Sequence, residues 1–292
     1  MSTPATGART LAATLVRAVT AGEIATYRDV VRSGIAPLGP AAGTPKASPL
    51  HAFVLASPAF DQAVSALSSA GRVHLSQEVH LQRLVRPDER VTVEVTVLGA
   101  RREPRGVRLA LRSVLAGGDG SPFAELMTGA LLVGATTPDP FGDIPPHLTP
   151  GSAAGPAAVV TRQVSTEMIR RYAEASGDDN PIHLDPEAAQ AAGFPGVIAH
   201  GMSVLALVCE VVIDRYAAGE AAAIRGIGGR FSSPVLPGEP LDITLQPDNG
   251  GRIVRFSCKT PQGPALKSGW VEITSATIAG TSIGAGKRDG DG

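Results

Sequence analysis

The sequence predicts an α+β chain built twice over, each half a long helix wrapped by about four antiparallel strands. Three observations predict it. Short segments recur in the same order in both halves: "VTAGEIATY" (Val19–Tyr27) with "VSTEMIRRY" (Val164–Tyr172), "PLHAF" around His51 with "IAHGM" around His200, and "LVRPDERVTVEV" with "PVLPGEPLDITL". A long apolar helical segment follows the histidine in each half. Period-two alternation such as "VTVEVTV" (Val91–Val97) then marks strands with one buried face.

Each element has its own signal. The first copy opens on a short helix, where Thr20 and Glu23 have the spacing of a capping box, and Ser165 is the matching N-cap in the second. The central helix begins near His51 in one copy and covers Gly201–Ala217 in the other. Strands are expected near 73–84, 91–100, 107–115 and 122–133, and again near 224–235, 241–247, 252–259 and 265–274. A helix preceding four strands buries its apolar stripe on them, and two such units pack side by side with a cleft between. The expected organisation is a degenerate first copy over 1–133, a Pro- and Gly-rich linker over 134–158, a catalytic second copy over 159–275 and a disordered tail over 276–292.

Composition narrows the functional classes. The chain has 292 residues and 43% apolar side chains, enough for a large core, and a net charge of −1 offers no basic field for nucleic acid. The segment Ser203–Ile213 carries Glu210 and is too short for a bilayer, and "RTLAATLVRAV" is a poor secretion signal. Cys209 and Cys258 sit in apolar patterns without paired spacing and read as reduced core residues. The expectation is a cytoplasmic enzyme or binding protein with no membrane or nucleic-acid partner. The tail "GTSIGAGK" has the wrong glycine spacing for a phosphate loop.

One short connection carries the chemistry. In "SGDDNPIHLD" (Ser176–Asp185) a helix must stop at Gly177, and Pro181 forbids its continuation through Asn180. A new helix starts with Asp185 as N-cap and Pro186 at N1. The rigid turn holds a carboxylate, Asp178, and an imidazole, His183, at fixed separation, which suits deprotonating a water and returning a proton. Cap and turn duty alone would explain some of these residues. A metal site of Asp178, His183 and Asp185 lacks recognisable ligand spacing, so neither metal nor cofactor is expected.

The stretch "YAEASGDDNPIHLDPEAAQAAGFPGVIAHGM" with the later "RFSSPVLPGEPL" resembles the signature of the MaoC-like (R)-specific enoyl-CoA hydratases and 3-hydroxyacyl dehydratases. The resemblance implies a double hotdog fold and hydration of a 2-enoyl thioester, or the reverse, on coenzyme A or an acyl carrier protein. It implies Asp178 and His183 as the acid/base pair on the catalytic water and the Gly201 N–H as oxyanion donor. That last role also makes independent sense at a helix N-terminus. Asn180 would brace the loop, Ser176 matches the pattern, and His200 is expected to make a structural hydrogen bond. A thioesterase or a non-catalytic acyl-thioester binder would use the same ligands. The arginines of "RREPRGVRLALR" (Arg101–Arg112) read as a solvated hairpin face, with a grip on coenzyme A phosphates as the alternative.

The first copy departs from the motif: Ser33, Ile35 and Leu38 stand where Asp178, Asn180 and His183 are, and only His51 survives opposite His200. Chemistry is therefore expected once per chain, in a pseudo-dimer that could itself dimerise. Pro58 falls inside the first central helix and is expected to bend or stop it. Family members lacking a full helix there gain acyl room, which implies preference for medium, long or branched acyl groups.

Overall fold

The computed structural model describes residues 11–35, 46–67, 69, 71–136, 139–152 and 154–274. The tail over 276–292, with its "GTSIGAGK", and Leu38 lie outside the described residues.

The first copy comprises β1 (Ala12–Val19), α1 (Ala21–Val31), α2 (His51–Val64), β2 (Gly71–Leu81), β3 (Glu89–Glu103), β4 (Gly106–Ala116) and β5 (Pro122–Val133). A two-residue strand, β6 (Phe141–Gly142), pairs with Gly99 and Ala100 of β3. The second copy repeats the order: β7 (Ala158–Gln163), α3 (Thr166–Ser176), α4 (Pro186–Ala191), α5 (Gly201–Tyr216), β8 (Ile224–Phe231), β9 (Pro240–Pro247), β10 (Ile253–Thr260) and β11 (Gly263–Ile273). Both copies thus open on a strand, β1 and β7, rather than on the helix expected from sequence. Among the described residues each pairs along one side, with β3 or β9, and few of its side chains are buried, so its apolar alternation is weak.

The described strands form one antiparallel sheet in the order β1-β3-β4-β5-β2-β8-β11-β10-β9-β7. The first five and the last five are the same arrangement run in opposite directions. The halves meet where β2 pairs with β8, from Ser76 opposite Arg230 to His80 opposite Gly226. Helix α2 packs on β1, β3 and β4, and α5 packs on β8 and β11. This is a double hotdog: two central helices on one shared sheet, a pseudo-dimer within one chain.

Local chemistry accounts for the helices. Thr20 and Glu23 close the capping box on α1, and the Ser165 hydroxyl accepts the Met168 N–H at α3. Helix α5 is buried from Val204 to Ile213 because it runs between the sheet and α1. The one carboxylate in that stretch, Glu210, is fully buried and takes Arg32 at 2.9 Å and Arg28 at 3.4 Å, from the C-cap and the last turn of α1 in the other copy. Asp214, one turn on, also binds Arg32 at 3.0 Å. Burial of Glu210 is tolerated only because α1 brings the two guanidinium groups to it.

Pro58 does not stop the first central helix, which runs through it to Val64. Pro58 lies on the exposed side of α2, so the loss falls on one backbone bond at the solvent face and the buried stripe remains. Room for an acyl group therefore has to come from side chains along the cleft. Both cysteines are free and buried, and no helix among the described residues is long and apolar enough to cross a membrane.

Candidate active site

The site begins at the end of α3. Gly177 takes the left-handed conformation (φ 73°) that ends the helix and throws the chain into the turn. The Ser176 hydroxyl donates to the Tyr172 carbonyl (2.7 Å) and accepts the Asp178 N–H (3.2 Å). The Asp178 carboxylate accepts the Asn180 N–H at 3.4 Å, and the Asn180 side-chain oxygen caps a single 3-10 turn, Pro181–His183. Asp185 then caps α4 through the Glu187 N–H (2.8 Å), with Pro186 in the first turn. Every polar residue of "SGDDNPIHLD" except Asp179 thus has a local structural duty. Those duties aim Asp178 and His183 at one place.

Both histidines of the motif are held by backbone carbonyls. His183 Nδ1 lies 2.9 Å from the Ile198 carbonyl and His200 Nε2 lies 3.0 Å from the Asp178 carbonyl. A carbonyl only accepts, so each of these nitrogens carries the proton. Burial lowers the His183 pKa below its ordinary value and pushes that of His200 down to about 4, with the adjacent His183 adding to the effect. Both imidazoles are therefore neutral near pH 7, and His183 keeps a lone pair on Nε2. Their rings are in contact, tilted by 32° with centroids 3.8 Å apart. The Asp178 carboxylate and ring nitrogens of His183 and His200 lie within 4.8 Å of one another, and with His200 committed to the Asp178 carbonyl, Asp178 and His183 are the pair left to hold a water.

Gly201 follows His200 and opens α5. Its N–H has no hydrogen-bond partner among the described residues, as expected at a helix start. A Cβ at Gly201 would stand 2.8 Å from the Phe231 ring, so a larger residue would displace the aromatic wall. Asp178, Asn180, His183 and Gly201 all face one cavity of about 500 Å³. Ser176 and His200 do not line it; they brace its loop from behind.

The cavity's other wall comes from the first copy: Phe53, Ser57 and Phe60 of α2, Arg72 to Leu75 of β2, Arg105, Thr128, Ala130 and Leu131. Sequence reasoning missed His74. Its ring sits between Phe53 (5.3 Å) and Phe231 (4.7 Å), and its Nε2 is 3.1 Å from the Gln77 side-chain oxygen, which also accepts from Thr128 (2.9 Å). Burial pushes its pKa to about 4. Nothing in "GRVHLSQEVHL" marks this histidine, because only the β2–β8 pairing carries it to the second copy's site. Within the arginine-rich hairpin, Arg101 donates to the Phe141 and Gly142 carbonyls and Arg112 pairs with Glu125 (2.7 Å), while Arg105 lines the cavity. Asp185 caps its helix and is not part of the donor cluster.

Known proteins share the fold and part of the sequence. Residues 152–261 match the MaoC like domain family. Enoyl-CoA hydratase ChsH3 of Mycobacterium tuberculosis is 33% identical over 129 residues, covering 43% of this chain and 45% of that protein. 3-Hydroxyacyl-thioester dehydratase X of the same organism is 31% identical over 189 residues, 63% of this chain and 62% of that one. The matched stretches thus span less than two thirds of either relative. Among solved structures, a MaoC-like dehydratase from Phytophthora capsici superposes with a TM-score of 0.76 at 22% identity, over 90% of this chain and 95% of that one.

Proposed function

We propose that the protein reversibly hydrates a 2-enoyl thioester to the (R)-3-hydroxyacyl thioester, a reading supported by the match of residues 152–261 to the MaoC like domain. The observation that carries the reading is convergence: Asp178, the free nitrogen side of His183 and the unpartnered N–H of Gly201 face one cavity.

The chemistry follows from what each group can do. A water held between Asp178 and His183 gives up a proton as its oxygen bonds to C3 of the enoyl group. The C2=C3 electron pair moves onto the thioester oxygen, where the Gly201 N–H and the positive end of α5 stabilise the enolate-like charge. A proton returned to C2 completes the addition, and the reverse sequence is dehydration. A neutral His183 with its lone pair on Nε2 is the form that accepts a proton, and burial favours that form.

Arg72 and Arg105 at the same cavity suit the phosphates of a pantetheine-bearing carrier, which coenzyme A and an acyl carrier protein share. The first-copy wall of Phe53, Phe60, Ala130 and Leu131 supplies acyl room without a broken helix. The protein is therefore read as favouring acyl chains longer than crotonyl. Loss of enoyl absorbance on adding enoyl-CoA, with no thiol released, is the expected result. Thiol release instead marks a thioesterase, and binding without either marks a non-catalytic thioester carrier. Chiral analysis giving the (S)-3-hydroxyacyl product would remove the stereochemical part of the proposal.

A further inference from the structure

Behind the site, four buried rings run in contact from one copy to the other. His51 meets Tyr27 (centroids 5.1 Å apart), Tyr27 meets Tyr172 (5.9 Å), and Tyr172 meets His200 (4.9 Å). None of the four is more than 2% exposed. Both tyrosine hydroxyls and the Nδ1 atoms of both histidines are buried, and none of them meets a partner in good hydrogen-bond geometry among the described residues. Four orphaned polar groups in one contiguous set are costly unless they serve one another, directly or through a bridging water.

Their chemistry permits only one direction at the site end. His200 Nε2–H is committed to the Asp178 carbonyl, so its Nδ1 is an acceptor. Tyr172, the hydroxyl-bearing ring against it, is the donor. The Tyr172 oxygen can then accept from Tyr27, and the Tyr27 oxygen from His51 Nδ1–H. We infer that His51, Tyr27, Tyr172 and His200 form one directional hydrogen-bond chain ending on the Asp178 carbonyl, so that Tyr27 of the degenerate copy is a positioning residue for the second copy's site. Each bond in such a chain polarises the next. The chain also accounts for a feature of the repeat. The first copy has Ser33 and Ile35 at the catalytic positions but keeps Tyr27 and His51.

The inference rests on the proposed hydration only for its kinetic consequence, and its structural part can be read without activity. The chain holds six histidines, so 15N-histidine labelling gives a spectrum in which His200 can be assigned by substitution. Tyr172→Phe and Tyr27→Phe each remove one oxygen and keep the ring. The expected result is that the His200 Nδ1 resonance moves toward that of a free unprotonated nitrogen in both variants, less in Tyr27→Phe. His51→Gln, at the far end, should move it least. The turnover of an enoyl-CoA should fall about three- to tenfold in Tyr27→Phe with KM unchanged, the scale of one buried hydrogen bond. An unmoved His200 Nδ1 in Tyr172→Phe overturns the chain, and a shift with unchanged turnover overturns the positioning role. Should the wild type hydrate nothing, the proposed function fails while the nitrogen shifts still decide the chain. Should Tyr27→Phe fail to fold, Tyr172→Phe and His51→Gln carry the same test.

Discussion

At the scale of single residues, the proposed roles separate by chemistry. Asp178→Asn and His183→Ala each remove a proton-transfer group and are expected to lower turnover by roughly two orders of magnitude or more with the fold retained by circular dichroism. Ser33→Ala, at the equivalent place in the first copy, should leave turnover unchanged; activity surviving both second-copy substitutions would put the chemistry elsewhere. The pH profile tests His183 separately. Burial holds its pKa below 6.5, so it stays neutral and able to accept a proton as pH falls past that value. The acid limb of turnover should therefore lie below pH 6.5, and a limb centred at or above it would remove His183 as the base. Much of this was legible in the sequence, because "SGDDNPIHLD" encodes its own geometry: Gly177, Asn180, Pro181 and Asp185 each act on neighbours within a few positions. His74 was not legible, since its place at the cavity depends on a pairing between strands of different copies.

At the scale of elements, the two central helices show where local rules hold and where packing overrides them. The capping residues Thr20, Ser165 and Asp185 act where the sequence puts them, since a cap needs only its own next turn. Strands β1 and β7 escaped notice because an edge strand has one unpaired side and little apolar alternation to betray it. Pro58 misled in the other direction. The buried stripe of α2, including Leu55, Ala59, Phe60 and Ala63, holds the helix through a residue that disfavours it. That conflict can be measured. Pro58→Ala restores a backbone donor at an exposed helical position and should stabilise the fold by about 1–3 kcal/mol, raising Tm by several degrees. An unchanged or lower Tm would mean that the ring makes contacts worth as much as the bond it denies. Kinetics over a chain-length series test the wall that α2 builds. A specificity constant highest for crotonyl and falling steadily with length would show that Phe53 and Phe60 close the cavity rather than line it.

At the scale of the whole molecule, the two copies are joined by buried groups whose protonation links the fold to pH. His51, His74 and His200 are each pushed down to about 4 by burial, against about 6.5 for an exposed histidine. Between those values the unfolded chain binds protons that the folded one refuses, so stability rises with pH through that window. The contribution is complete above pH 6.5 and is lost as pH falls toward 4. Glu78, within the β2–β8 seam, is an acid whose lowered pKa acts in the same direction over a lower window. His147, whose ring nitrogen lies 3.0 Å from its carboxylate, and the Leu148 N–H (2.6 Å) hold its pKa at about 2 against the desolvation that would raise it. Its contribution is present above pH 4.5 and is lost as pH falls below that value toward 2. The histidines therefore govern first. The urea midpoint should drop steadily from pH 7 to pH 5, by an amount equivalent to several kcal/mol at roughly 1.4 kcal/mol per pKa unit for each buried imidazole. His74→Gln, which keeps an uncharged polar side chain between Phe53 and Phe231, should make that slope shallower and leave the loss below pH 4 in place. A midpoint flat between pH 7 and 5 would show that these imidazoles reach solvent and protonate within the folded chain, and would take with it the neutral state that His200 needs to accept from Tyr172.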